Sequence, residues 1–227
     1  MTSGFSLRDH LVAYLEELKE SGVDHLPLTI TTEGGEGADP ETLESIRLDL
    51  GDCHRCPLGD LRTNLVFGIG TPHPRLVFVG EAPGRDEDLK GEPFVGAAGQ
   101  LLTRIIAAMG LSRDQVYICN VLKCRPPQNR DPHLDEIETC SPFLVRQLRT
   151  LSPEVIVALG RIAAHTLLST QTPIGRLRGN FHQWEGIPVM PTYHPSALLR
   201  DESLKRPVWE DMKKVMERLG LPIPARG

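Results

Sequence analysis

The sequence predicts an α/β fold of three layers, in which a central parallel sheet of about four strands is flanked by helices. Short apolar runs alternate with longer amphipathic stretches, which is the pattern of parallel strands joined by crossover helices. The 227 residues are 40% hydrophobic and 24% charged, as in an ordinary folded domain with a substantial core. The unusual polar and glycine-rich segments follow the apolar runs, where strands of a parallel sheet expose their ligand-binding edge.

The N-terminal segment, residues 1–39, is predicted to be separate from the main domain. Apolar residues between Leu7 and Gly22 recur near the 3.6-residue period, which indicates an amphipathic helix. Residues 23–39 combine glycine, threonine and acidic side chains without periodicity, as a flexible linker does. The main domain is therefore expected to cover residues 40–227.

The net charge of −5 is unevenly distributed along the chain. Residues 1–50 carry three basic and eleven acidic side chains, whereas the remaining 177 residues carry 22 basic and 19 acidic ones. Because phosphate contacts depend on where cations cluster, the acidic average does not exclude a nucleic-acid partner. The sequence contains neither an apolar run of membrane-spanning length nor a signal peptide, so we expect a cytoplasmic protein without membrane contacts.

Four apolar runs are predicted to be strands, and four amphipathic stretches are predicted to be helices. The strands are Leu76–Val79, Val116–Val121, Val155–Leu159 and Ile187–Met190. The helices are residues 97–109, 134–150, 160–169 and 206–219.

Each predicted strand is followed by residues that a purely structural role does not require. Gly80 to Gly84 follow the first strand, Asn120 closes the second, Gly160 and Arg161 follow the third, and His194 to Ser196 follow the fourth. Because the carboxyl ends of parallel strands meet at one edge of a sheet, these residues are expected to form a single site.

The five cysteines are an odd number in a chain predicted to be cytoplasmic, which makes metal binding more plausible than a disulfide framework. Cys53 and Cys56 form a C-x2-C pair, and Cys124 and Cys140 lie far downstream. Four thiolates bind either zinc or an iron–sulfur cluster, and the spacing alone leaves both open. Cys119 lies within an apolar strand and is expected to be a small buried hydrophobic residue.

Four motifs together resemble those of the family-four uracil-DNA glycosylases, the iron–sulfur branch of that superfamily. They are GEAPGRDED, GEPFVGAAGQLL, NVLKCRPPQNRDP and YHPSALLR, and with the cysteines the resemblance covers about residues 45–219. It implies a monomeric DNA repair enzyme that flips uracil out of single- or double-stranded DNA and hydrolyses its glycosidic bond. It also implies that Cys53, Cys56, Cys124 and Cys140 hold a [4Fe-4S] cluster. A related branch of the superfamily bonds covalently to uracil-containing DNA through a histidine in an inserted basic loop. Neither such an insertion nor the sequence Lys-Arg-Arg-Ile-His follows Cys124, so we expect turnover instead of covalent trapping.

The resemblance also implies roles for residues at the strand ends. Glu81 would orient the attacking water and offset positive charge on the sugar, and His194 would stabilise the leaving uracil anion. Asn120 would read the N3–H and O4 of uracil through one amide, and Phe94 would stack on the flipped ring. The competing interpretations are a turn-capping glutamate, an asparagine in a local turn and a core phenylalanine.

Further substrate and DNA contacts are implied around these four residues. The additional substrate-binding candidates are Gly80, Ala82, Glu87 and Ser196, with Glu87 favoured over Asp88 as the pocket boundary. Leu198 and Leu199 would form an apolar wedge with Arg200 beside the backbone, although leucine pairs also pack into cores. Other arginines that would contact phosphates, or simply be solvated, are Arg125, Arg130, Arg176 and Arg178.

Two other functions stay open at this point. A superfamily relative with a different base preference would excise hypoxanthine or mismatched thymine. A non-catalytic iron–sulfur module would bind DNA without releasing any base.

Overall fold

The computed structural model describes residues 41–224, so the predicted N-terminal helix and linker lie outside the described residues. The first described helix, α1, covers Leu43–Leu50 and is capped by Thr42, whose side chain accepts the backbone N–H of Ser45 at 3.0 Å. Within residues 41–224, no helix is long and apolar enough to cross a bilayer.

A six-stranded sheet forms the centre of the described part of the chain. The strands are β1 (Ile69–Gly70), β2 (Leu76–Gly80), β3 (Tyr117–Asn120), β4 (Val155–Leu159), β5 (His182–Trp184) and β6 (Ile187–Thr192). Their order is β1-β3-β2-β4-β6-β5, and the four inner strands pair in parallel. These four inner strands confirm the predicted parallel core.

The two edge strands are antiparallel and were not predicted. Strand β1 has only two residues, too few to show an alternating pattern. Strand β5 is polar and only partly buried, and it is joined to β6 by a turn containing Glu185 and Gly186 at positive φ. Neither strand contains the apolar run on which the prediction relied.

Helices cover both faces of the sheet. They are α2 (Arg85–Lys90), α3 (Ala97–Ala108), α4 (Leu134–Leu151), α5 (Arg161–Leu168), α6 (Ile174–Leu177), α7 (Pro195–Arg200) and α8 (Lys205–Arg218). The four long predicted helices correspond to α3, α4, α5 and α8. The other helices were not predicted, because their four to eight residues are too few to display a clear helical periodicity.

The side chains of the inner strands alternate between two buried layers, as the pleat of a strand requires. On β2, Leu76 and Phe78 pack with α3, α7 and α8, whereas Val77 and Val79 pack with α4 and α5. Burial on both faces explains why the inner strands are continuous apolar runs. Cys119 lies fully buried in the second layer, which confirms its predicted place in the core.

Candidate active site

The carboxyl ends of the four inner strands open into one cavity of about 510 Å³. Eight residues for which a catalytic, substrate or DNA contact was expected line it: Glu81, Ala82, Glu87, Phe94, Asn120, His194, Ser196 and Arg200. The fold therefore brings together residues that are more than 100 positions apart in the chain, as expected for ligand sites in parallel sheets.

Gly80, the last residue of β2, lies directly behind two side chains of the cavity. A Cβ atom built on it would lie 2.3 Å from Asn120 Oδ1 and 2.6 Å from Phe94 Cζ. Both distances are too short for non-bonded atoms, so only glycine allows this close approach. Gly80 thus contributes to the site through the absence of a side chain.

Asn120 presents an unused hydrogen-bond acceptor inside the protein. The residue is 1% exposed, and Asn120 Oδ1 is buried with no hydrogen-bond partner among the described residues. A buried acceptor without a partner costs about 1–3 kcal/mol. Since Asn120 lines the cavity, this oxygen is available to a ligand N–H.

His194 is held as a neutral imidazole with one defined tautomer. Its Nδ1 accepts the backbone N–H of Ser196 at 3.2 Å and lies 2.8 Å from the Ser196 hydroxyl oxygen. Because a backbone N–H can only donate, Nδ1 is unprotonated and the ring proton lies on Nε2. Burial, the larger effect, and the charge of Arg200 together lower the pKa of His194 to about 4 against an opposing effect of Glu87, so the ring is uncharged at neutral pH.

Neighbouring residues allow His194 to lie close to the other cavity residues. Gly160 has a φ of +90°, and a Cβ on it would lie 3.0 Å from His194 Cβ. The rings of His194 and Phe94 have centroids 5.6 Å apart and planes inclined by 35°. The imidazole and the phenyl ring therefore form adjacent walls of the cavity.

Glu81 follows β2 and lies near a second carboxylate and a guanidinium. Burial raises the pKa of Glu81, the charge of Asp131 raises it further, and Arg161 opposes both effects. Arg161 Nη2 also lies 2.5 Å from Asp131 Oδ2, and both residues line the cavity. A carboxylate with a raised pKa in a cleft is a frequent feature of active sites.

Glu87 and Asp88 have different partners. Glu87 lines the cavity, and its carboxylate accepts the backbone N–H groups of Gly84, Val95 and Gly96 at 2.9–3.1 Å. Asp88 is buried and accepts the backbone N–H of Thr63 at 2.8 Å. Glu87 therefore organises the cavity wall, whereas Asp88 anchors a loop outside it.

The predicted apolar wedge is only partly supported. Leu198 is 2% exposed and packs in the core layer beneath α7, so its assignment to the wedge is wrong. Leu199, the next residue of the helix, is 47% exposed, and Arg200 lines the cavity. A one-residue step along a helix turns a side chain by about 100°, which separates the two leucines.

The four cysteines outside the strands have free thiols. Burial raises the pKa of Cys124 to about 11 against the opposing charge of Arg62, and the thiols of Cys140 and Cys56 raise it slightly. Arg62 Nη1 lies 3.5 Å from Cys124 Sγ, and the backbone N–H of Lys123 lies 3.4 Å from Cys140 Sγ. Among the described residues, no three potential ligands are gathered around a single metal-ion position.

Comparison with known proteins agrees with this arrangement. A family model described as the uracil DNA glycosylase superfamily matches residues 67–213. The chain belongs to this superfamily. It is 47% identical to the type-4 uracil-DNA glycosylase of Archaeoglobus fulgidus over 81% of this chain and 96% of the relative. It is also 47% identical to the type-4 uracil-DNA glycosylase of Thermotoga maritima, over 77% of this chain and 93% of the relative. Identity to the type-5 uracil-DNA glycosylase of Pyrobaculum aerophilum is 33%, over 57% of this chain and 64% of the relative.

Several site residues of this superfamily member were missed or placed differently by sequence reasoning. Arg161 was noticed at a strand end without a role, and no sequence pattern indicated Asp131 as its partner. Two arginines considered as phosphate contacts hold buried carboxylates, and of these two Arg130 also lines the cavity. Arg130 makes two hydrogen bonds with Glu136, and Arg178 makes two with Asp211.

Proposed function

We propose that this protein hydrolyses the bond between the deoxyribose C1′ and N1 of uracil in DNA, releasing uracil and leaving an abasic site. The observation that carries this proposal is the unpartnered Oδ1 of Asn120 in the cavity. Membership of the superfamily and identity to type-4 uracil-DNA glycosylases support the same activity.

The amide of Asn120 is suited to the edge of uracil. Its Oδ1 would accept the N3–H, and its Nδ2 would donate to O4. Cytosine presents the reverse pattern, with an acceptor at N3 and a donor at N4, so the same amide would face two mismatched groups. Each mismatch inside a buried cavity costs about 1–3 kcal/mol. One asparagine would thus discriminate between the two pyrimidines.

Glu81 and His194 would act on opposite sides of the breaking bond. As C1′–N1 lengthens, positive charge develops on the sugar and negative charge on uracil. The carboxylate of Glu81 would offset the first charge and orient the attacking water. The Nε2–H of His194 would donate to uracil O2, a hydrogen bond that strengthens as the base becomes anionic. The hydrogen bonds of Ser196 to Nδ1 fix the tautomer for this donation.

Access to the cavity requires the base to leave the DNA stack. Phe94 would stack on the extruded ring, a contact worth about 1–3 kcal/mol. Leu199 would occupy part of the vacated space, and Arg200 would contact the backbone beside it. Ala82 would form part of the cavity wall near the base.

The test is base excision by the purified protein and its Asn120→Asp variant under single-turnover conditions. The parental protein is expected to release uracil, and not thymine or hypoxanthine, from a single-stranded oligonucleotide. Asn120→Asp is expected to slow uracil release by at least about tenfold, because a carboxylate oxygen faces O4, and to gain measurable release of cytosine. His194→Ala should slow release and leave the ranking of bases unchanged. Parental rates in Asn120→Asp, or an altered ranking in His194→Ala, would contradict these roles.

We further propose that Cys53, Cys56, Cys124 and Cys140 hold a [4Fe-4S] cluster, and that the residues fit this group. The support is chemical: four free cysteines supply the ligand set of such a cluster. Arg55 donates to Cys53 Sγ at 3.3 Å, and the Lys123 N–H donates to Cys140 Sγ, contacts of the kind that stabilise cluster sulfurs. The cluster would be structural, because it would connect the segment before β2 with the loop after β3 and with helix α4.

The cluster assignment is tested by comparing Cys124→Ala with Cys119→Ala. An anaerobically purified parental protein should be brown and contain about four iron atoms per chain. Cys124→Ala should lose iron and solubility, whereas Cys119→Ala should keep the iron because its thiol lies in the core. Stoichiometric zinc without iron, or loss of iron in Cys119→Ala alone, would show that the assignment is wrong.

A further inference from the structure

Phe94 adopts a backbone conformation that a phenylalanine seldom occupies. Its φ is +55°, in the left-handed region that penalises side chains with a Cβ. Such a residue persists only where its surroundings determine its conformation, and these residues concentrate at functional sites. Phe94 is 6% exposed, and its ring lines the cavity next to His194.

The side chain of Arg113 binds the backbone carbonyls of Pro93 and Phe94. Arg113 precedes β3 in a short 3₁₀ helix, Arg113–Gln115, and does not line the cavity. Its Nη2 donates to the Pro93 carbonyl at 2.9 Å, and its Nη1 donates to the Phe94 carbonyl at 3.2 Å. Nη1 also lies 3.3 Å from Thr103 Oγ1 on α3. The planar guanidinium therefore connects two consecutive carbonyls to a helix, which a single ammonium group cannot do in the same geometry.

The backbone N–H groups that follow Phe94 are bound by a different side chain. Glu87 accepts the N–H groups of Val95 and Gly96, the two residues that follow Phe94. On the remaining side α3 packs directly on the backbone, since a Cβ on Gly99 would lie 1.9 Å from the Phe94 carbonyl carbon. Of these contacts, only those of Arg113 bind the carbonyl of Phe94 itself among the described residues.

We infer that Arg113 is a positioning residue for base excision: it holds Phe94 in the left-handed conformation that places the phenyl ring against the flipped base. The inference rests on the proposed function and extends it to a residue outside the cavity. Without the guanidinium, Phe94 relaxes toward an unstrained φ. This rotation about the N–Cα bond of Phe94 moves the ring away from the base. Arg113 then matters for excision only as long as Phe94 provides the ring.

The experiment is a double-mutant cycle with Phe94→Ala, Arg113→Met and the combined variant. Rates of uracil release from a single-stranded oligonucleotide are measured under single turnover. Affinity for an oligonucleotide containing an abasic site is measured in parallel, because this ligand has no base to stack. Phe94→Ala should lose about 5- to 150-fold in rate, the range that base–aromatic stacking gives. Arg113→Met should lose at least about fivefold and no more than Phe94→Ala, with abasic-site affinity within about twofold of parental.

The combined variant separates positioning from a general structural role. It should be within about twofold of Phe94→Ala, because Arg113 has nothing left to position. A combined loss equal to the product of the two single losses would overturn the inference, and so would a parental rate in Arg113→Met. Arg75→Met is the matched control: Arg75 also binds a carbonyl, that of Leu219 at 2.7 Å, at the other end of the sheet. It should lower the melting temperature without changing the excision rate.

Arg113→Lys provides a second test if the methionine variant does not fold. Lysine keeps the charge but cannot bridge both carbonyls, so this variant should also lose rate, and the loss should again disappear in the Phe94→Ala background. A parental protein that releases no uracil would refute the proposed function together with this inference. Release by the parental protein with an unchanged rate in both Arg113 variants would refute the inference alone.

Discussion

Gly80→Ala is expected to disable the cavity while leaving the sheet folded. Gly80 ends β2, and its φ lies outside the positive range, so alanine can adopt its backbone conformation. The added Cβ would lie 2.3 Å from Asn120 Oδ1 and 2.6 Å from Phe94 Cζ, whereas ordinary contact begins at 3.4 Å. Relieving the first contact requires a shift of about 1 Å in the amide, and relieving the second a shift of nearly the same size in the ring.

Shifts of this size matter because both groups would contact the base. A misplacement of about 1 Å in a reacting geometry can cost about 100-fold in rate. One extra methyl group in a packed site should lower the free energy of unfolding by only about 1–3 kcal/mol. Excision should therefore fall by about 100-fold in a protein that still unfolds cooperatively.

The assay measures single-turnover release of uracil together with the thermal transition. Gly175→Ala is the matched control, because a Cβ there would lie at 3.5 Å from the Tyr193 hydroxyl, an ordinary contact. The control should excise at the parental rate. A folded Gly80→Ala protein with parental excision would refute the role of the close approach between Gly80 and Asn120.

The remaining predictions concern charge and the extent of the catalytic domain. The charge of Asp131 raises the pKa of Glu81, so Asp131→Asn should move the acid limb of the pH–rate profile to lower pH. The charge of Arg161 lowers this pKa, so Arg161→Met should move the acid limb to higher pH. The pKa of Glu81 is higher in the folded state than in the unfolded state. The free energy of unfolding therefore falls as the pH rises from the unfolded-state pKa through the folded-state pKa. Glu81→Gln should therefore raise the melting temperature at pH 7 while slowing excision by about 10²–10⁴-fold; a lower melting temperature would contradict this. Deleting residues 1–39 should leave excision within about twofold, and a folded but inactive truncation would show that this segment takes part.

The parallel core and the location of the site were predictable because both depend on local patterns. Continuous apolar runs indicate strands buried on both faces, and residues after such strands share one edge of the sheet. Glu81, Asn120 and His194 therefore converge in the structure as the sequence indicated. The spacing of the cysteines, by contrast, could not distinguish zinc from a cluster, because both use four thiolates.

What the sequence could not predict depends on side-chain direction and on contacts between distant segments. Leu198 and Leu199 are chemically identical, and only the orientation of α7 decides which of them is buried. Arg113 contacts a carbonyl nineteen residues away, a pairing for which the sequence contains no periodic signal. The positive φ of Phe94 is likewise set by these contacts, since no local preference of phenylalanine favours it.

Burial has opposite consequences for the two ionisable groups that the proposed reaction requires. It is the main cause that lowers the pKa of His194 to about 4, which keeps the imidazole neutral and able to donate its Nε2–H. It raises the pKa of Glu81, which disfavours the carboxylate form that the developing positive charge requires, and Asp131 adds to this effect. Arg161 favours the ionised form of Glu81 and also pairs with Asp131. The guanidinium of Arg161, directly after β4, therefore opposes the effect of burial on Glu81 in the same cavity in which burial keeps His194 neutral.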